Sequence, residues 1–152
     1  RDALTGKAAI LLRLSGAAAA VDHTAVHWGG ERLAGGADFW QQLREMTLPF
    51  FAGDAPLWRL SVKSTAPHPE FHGPALIDWG GAQRWLRGEL DAARLQRDAA
   101  QAGGSVTLFA GGDRGAQLRP APDPVTRRLH ERLKQAFDPL RILNPGRLYD
   151  FL

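Results

Sequence analysis

The sequence has no cysteine, one methionine and one tyrosine among 152 residues. The missing thiols exclude disulfide bonds, thiolate metal sites and cysteine nucleophiles together, although they name no compartment. No run approaches the roughly 18 consecutive apolar residues that a membrane helix needs, and the first residues do not resemble a signal peptide. The chain therefore reads as a domain that stays in solution. Its one methionine, Met46, falls inside a predicted helix and the sequence opens on Arg1-Asp2-Ala3, so the natural start of the gene product is expected upstream.

Clustered charge of one sign is also absent. The 19 Lys+Arg against 16 Asp+Glu give a formal +3, and the densest basic stretch, Arg127 to Lys134, lies on an ordinary amphipathic helix. A nucleic-acid binder would gather such residues into a stripe with interleaved aromatics, so no nucleic-acid partner is expected. No Gly-x-Ser-x-Gly elbow supports a serine hydrolase. Gly111-Gly112-Asp113-Arg114-Gly115 lacks the lysine and hydroxyl residue of a phosphate loop and reads as a turn. His68 and His72 are four apart, but Pro67 and Pro69 break the helix that would align them; His23 and His27 have only Asp22 nearby. No metal site is predicted.

What is present suits one compact domain spanning 1–152, with 44% hydrophobic side chains to build a core. Residues 7–14 read as a first strand, followed by an alanine-rich helix ending near Gly29-Gly30. Asp38 is placed to cap a helix from Phe39 to about Thr47, with Gln41 as its capping-box partner, and Pro49 helps to end it. Pro56 to Val62 alternates as a strand with one buried face. Ala75 to Trp79 is a further strand, and Gly80-Gly81 then makes either a bulge in one kinked strand or a tight hairpin before Ala82 to Leu86. A helix over 89–102 combines Leu90 and Ala93 with Arg94, Arg97 and Asp98. Ser105 to Ala110 is the last strand. Asp123-Pro124 starts the closing helix, whose buried stripe is expected to be Val125, Leu129, Leu133 and Ala136 or Phe137. This order predicts an α+β fold: a ferredoxin-like antiparallel sheet with helices mainly on one face, plus a C-terminal helix and extended tail.

Strand alternation then populates the other face. Arg13, Arg59, Ser61, Lys63 and Asp78 point that way, while the direction of Arg84 depends on whether the two glycines form a bulge that flips the parity. One reading is a solvated sheet face with an Arg59–Asp78 pair across strands. The other is a positively charged lid over an anionic ligand or cofactor.

The tail Phe137-Asp138-Pro139-Leu140-Arg141-Ile142-Leu143-Asn144-Pro145-Gly146-Arg147 resembles the C-terminal signature of FAD-linked oxidases of the vanillyl-alcohol-oxidase type. Three more segments, Pro56 to Val62, Leu76 to Trp85 and Gly104 to Phe109, are similar to the E-type subunits of glycolate oxidases, and the likeness runs from Leu12 to Tyr149. It implies that this is the C-terminal cap domain of a longer flavoprotein. FAD would be held mainly by an N-terminal domain that this chain lacks, so the fragment alone would be inactive and without cofactor.

The resemblance further implies oxidation of glycolate, or a similar small 2-hydroxy acid, to the 2-oxo acid. The partners would be a D-type flavoprotein and an iron–sulfur F-type subunit, in the cytoplasm at the inner face of the membrane. Such chemistry needs an arginine that grips the substrate carboxylate through two parallel hydrogen bonds: Arg59 is the first candidate and Arg84 the second, with Asp78 orienting one of them. Asn144, Pro145, Gly146 and Arg147 are the cofactor-contact candidates, set against a turn that merely pins the tail. The histidine-rich segment of D-type subunits, similar to a divalent metal site, has no match. The alternatives are a self-sufficient ferredoxin-like module that binds a small carboxylate or a protein partner without catalysis, and a structural subunit of the complex. A cap parted from its flavin domain exposes apolar surface, so a homo-oligomer is expected at high concentration.

Overall fold

Four strands form one antiparallel sheet in the computed structural model, which describes residues 9–68, 71, 73–113 and 121–152. The chain divides into two units, Arg1–Leu118 and Arg119–Leu152.

In the first unit β1 (Leu57–Ser61), β2 (Ala75–Asp78), β3 (Gln83–Arg87) and β4 (Ser105–Ala110) lie in the order β2-β3-β1-β4. Three helices accompany them: α1 (Ala18–Trp28), α2 (Gly36–Glu45) and α3 (Ala92–Gln101). The register places Trp58 opposite Leu86 and Leu108, and Leu60 opposite Arg84 and Val106. Because alternate residues share a face, Trp58, Leu60, Leu86 and Val106 point to one side. There they meet Leu95 and Ala99 of α3 in a buried core. Asp91 caps α3, its carboxylate accepting from the amides of Ala93 and Arg94 at 2.9 and 3.2 Å. The residues that α3 buries are Leu95 and Ala99, four apart on one helix face.

The glycine pair makes a hairpin, not a bulged strand. Asp78 accepts from the Trp79 amide at 2.7 Å, and Gly80 and Gly81 turn the chain at φ of 60° and 99°. A Cβ on Gly81 would come within 2.6 Å of the Ser64 carbonyl, so this corner needs glycine for space as well as for conformation. Gly104, just before β4, is constrained by space alone: a Cβ there would stand 1.9 Å from the Ser61 carbonyl.

Several sequence expectations need correction. The strand over 7–14 is not seen: residues 7 and 8 lie outside the described residues, and 9–14 have no sheet partner, with Ile10 88% and Leu12 62% exposed. Its apolar pattern suits a strand, but a strand exists only through pairing that local sequence does not supply. Helix α2 begins at Gly36, after Gly35 in the left-handed region at φ 72°, which leaves Asp38 inside the first turn with no side-chain cap. Met46 follows the helix at φ 56° and ends it. The antiparallel α+β sheet stands as expected. The ferredoxin-like arrangement is not reproduced in full, because the crossover from β1 to β2 carries no helix among the described residues.

The second unit is α4 (Pro124–Phe137) with the tail to Leu152. Asp123 caps the helix through the amides of Val125 and Thr126 and the Thr126 hydroxyl; these bonds, the hydroxyl's foremost, hold its carboxyl below the usual range. At the other end Asp138 is buried. It accepts from the amides of Ile142 and Leu143 at 3.0 and 2.9 Å and pairs with Lys134 at 2.6 Å. The bond from Lys134, helped by the two amides, lowers its pKa. Lys134 also donates to the Leu143 carbonyl.

The tail then turns back along α4. Arg127 lies 4.3 Å over the Phe151 ring, Phe151 stacks on Tyr149 at 5.2 Å, and Tyr149 sits 5.8 Å from His130. Arg127, His130 and Lys134 share one helix face by their spacing, and this face carries the tail. The stripe expected to be buried is exposed instead: Val125 64%, Leu129 54%, Leu133 55% and Phe137 82%.

Candidate functional site

The sheet face turned away from α3 carries Leu57, Arg59 and Ser61 of β1, Gln83, Trp85 and Arg87 of β3, Leu76 and Asp78 of β2, and Thr107 and Phe109 of β4, as the register requires. Trp85 is its centre, 5% exposed. Its ring meets Phe51 edge-on at 5.5 Å and Phe109 edge-on at 5.0 Å, the favoured geometry for aromatic quadrupoles. Arg59 stands directly opposite Trp85 and Thr107, with its guanidinium 5.7 Å from the centre of the Phe109 ring.

Beside Trp85 the face opens into a cleft of about 780 Å³, within the roughly 300–1,000 Å³ of small-molecule sites. Trp40 and Leu43 of α2, Phe51, Trp79 and Trp85 supply its apolar walls, and Arg13, Arg44, Asp78 and Gln83 its polar groups. Phe51 is held there by a remote residue. The Arg87 guanidinium donates to the carbonyls of Phe50, Phe51, Gly53 and Ala55 at 2.9, 2.6, 3.0 and 2.7 Å, and so ties the short 3₁₀ turn Pro49–Phe51 to the end of β3.

Arg59 and Asp78 both occupy this face, and Arg13 reaches the cleft. The cross-strand pair between Arg59 and Asp78 does not form, because β3 lies between their strands. Asp78 instead caps the hairpin turn and lines the cleft. Arg84 points to the opposite, α3-covered face, where it is 3% exposed and donates to the carbonyls of Gly81, Pro67 and Ala66. Asp78 therefore orients neither arginine. The remaining candidates, Asn144, Pro145, Gly146 and Arg147, are exposed residues of the second unit. There Asn144 adopts φ 47° and its carbonyl accepts from the Arg147 amide at 3.3 Å, while the Gly146 amide donates to the Leu152 carbonyl at 2.7 Å. Of the two histidine pairs, His72 lies outside the described residues, as do Arg114 and Gly115 of the glycine-rich turn. Among the described residues no three metal-ligating side chains gather, and no helix is long and apolar enough to cross a membrane.

Sequence reasoning missed Trp40, Phe51, Gln83 and Arg87. The signal for Gln83 was available, since it shares parity with Trp85 once the hairpin is known. For Phe51 there was none, because its position depends on an arginine 36 residues away.

Residues 91–148 match the family described as FAD linked oxidases, C-terminal domain. Over 141 residues, 93% of its length, the chain is 45% identical to the glycolate oxidase subunit GlcE of Escherichia coli (strain K12). The chain is thus similar to the C-terminal part of FAD-linked oxidases. It spans 39% of the length of that curated relative, and no solved structure matches it. For an FAD-linked oxidase the cleft is chemically apt: a planar conjugated ring suits walls of Trp40, Phe51 and Trp85, and the guanidinium of Arg13 at its margin suits an electron-rich or anionic ligand.

Proposed function

We propose that this chain is the flavin-covering C-terminal region of a glycolate oxidase subunit, part of an enzyme that oxidises glycolate or a similar small 2-hydroxy acid to the 2-oxo acid. The observation that carries the reading is the open sheet face, where Arg59 stands opposite Trp85, whose ring lines an aromatic cleft. The 45% identity to a glycolate oxidase subunit supports the substrate class. FAD, bound mainly by a domain outside this chain, supplies the two-electron oxidising capacity. The chain's own residues cover and select. Trp40, Phe51 and Trp85 exclude water from the ring, which strengthens each polar contact made there. Arg59 grips the substrate carboxylate with two parallel hydrogen bonds, a role to which it is better suited than Arg84, whose donors three carbonyls already occupy.

In this reading Asn144, Pro145, Gly146 and Arg147 present a polar turn toward the cofactor domain. The partners are a D-type flavoprotein and an iron–sulfur F-type subunit, and the assembly works in the cytoplasm at the inner face of the membrane. The test is flavin absorbance and glycolate-driven dye reduction by the longer parent protein, co-produced with its neighbouring subunits, in wild type and Arg59→Ala. Retained flavin with dye reduction lost in the variant is the expected result. A parent without flavin, or a variant that turns over like wild type, overturns the assignment.

A further inference from the structure

Strand β4 carries one extra residue against β1. Leu57 pairs with Ala110 and Trp58 with Leu108, so Phe109 is left between them with no residue opposite, as in a β-bulge. A bulge bends its strand and re-aims a side chain. Here that side chain is a ring 39% exposed on the open face, and two neighbours define its place. Trp85, buried at the centre of that face, meets it edge-on at 5.0 Å. The Arg59 guanidinium lies over it, 5.7 Å from its centre, inside the roughly 6 Å over which a ring face attracts a cation.

The three arginines of the central strands β1 and β3 are held in different ways. Arg84 and Arg87 commit their donors to main-chain carbonyls. Arg59 forms no ion pair among the described residues; its printed contact is the Phe109 ring. An acidic partner would compete with an anionic ligand for the guanidinium, whereas a ring attracts the cation without occupying the planar fork that receives a carboxylate. Ordering a long side chain in advance also removes part of the entropy that binding would otherwise cost.

We propose that Phe109 is the positioning residue for Arg59. The bulge in β4 sets its ring, braced by Trp85, against the guanidinium, and so holds the fork of Arg59 ready for the substrate carboxylate. This rests on the reading of Arg59 as the carboxylate grip and adds the residue through which the sheet orients it.

The test measures glycolate-driven dye reduction against glycolate concentration in the longer parent protein, co-produced with its neighbouring subunits. Phe109→Leu should raise KM for glycolate about five- to tenfold, the worth of one ring–cation contact. Flavin content should be unchanged and kcat altered by less than about twofold, because the grip on the carboxylate is the same before and during the reaction. Phe109→Tyr, which keeps the ring face, should restore the wild-type KM. Phe109→Met, similar in bulk but without the ring, replaces the leucine variant if that one fails to fold. In an Arg59→Lys background the loss of the ring should matter much less, since a point charge has no planar fork to orient; a merely structural role would cost the same in both backgrounds. An unchanged KM in the ringless variants, a loss of kcat or flavin in place of the KM rise, or equal effects of tyrosine and leucine overturns the inference. The two readings fail separately. Arg59→Ala turning over like wild type sinks the carboxylate assignment, whereas an inactive Arg59→Ala beside a Phe109→Leu that behaves as wild type sinks only the role of Phe109.

Discussion

Replacing Arg87 by alanine removes four hydrogen bonds to four main-chain carbonyls in one step. Those to Gly53 and Ala55 are exposed, and water replaces them at little cost. The bonds to Phe50 and Phe51 are partly buried; a charged donor contributes about 1.5–3 kcal/mol there, and the relaxation of a surface loop recovers part of it. The expected loss is therefore about 2–4 kcal/mol, measured by urea unfolding followed through tryptophan fluorescence. Arg87→Lys should recover little of this, since one ammonium cannot span carbonyls that a planar fork reaches in different directions. The local consequence is as specific as the global one. Phe51 should leave its edge-on contact with Trp85, and the near-ultraviolet circular dichroism of the tryptophans should weaken even below the unfolding transition. An alanine variant within about 0.5 kcal/mol of wild type, the range of ordinary surface changes, and with an unaltered aromatic spectrum would refute the claim that Arg87 builds the cleft wall.

Two further outcomes follow from the packing and the charges. Leu60→Ala, at a position 1% exposed between the sheet and α3, should cost about 2–5 kcal/mol in the same unfolding experiment; a smaller loss would mean that the core collapses around the cavity. The carboxyls of Asp123 and Asp138 both titrate lower in the folded chain than their ordinary value, so the stability they confer is complete above about pH 4, the unfolded range. It is lost as the pH falls through their folded values. Far-ultraviolet circular dichroism of α4 should accordingly decline on acidification below pH 4, and Asp138→Asn should flatten that decline.

Much of this architecture is legible one segment at a time. The strand Ser105–Ala110 and the capped start of α4 at Asp123-Pro124 coincide with the expectation, because alternation and capping are short-range chemistry. The Asn-Pro-Gly turn forms where its residues place it. The orientation of Arg84 was open only because two adjacent glycines serve a hairpin or a bulge equally well; the pairing of β2 with β3 decides it.

The sequence by itself determined the type of most elements, the α+β class, the division of Arg59 and Trp58 between opposite faces, and a tail that resembles the FAD-linked oxidases. All of these depend on neighbouring residues or on a contiguous motif. Tertiary structure alone decided that residues 9–14 find no place in the sheet, that β3 separates Arg59 from Asp78, that Arg84 is spent on carbonyls, and that Arg87 holds Phe51 beside Trp85 while leaving Gln83 facing a cleft. Each of these is a contact between segments distant along the chain. Local preference sets which conformations a segment favours, but the partner it meets is settled only when the whole chain closes its hydrogen bonds and buries its core.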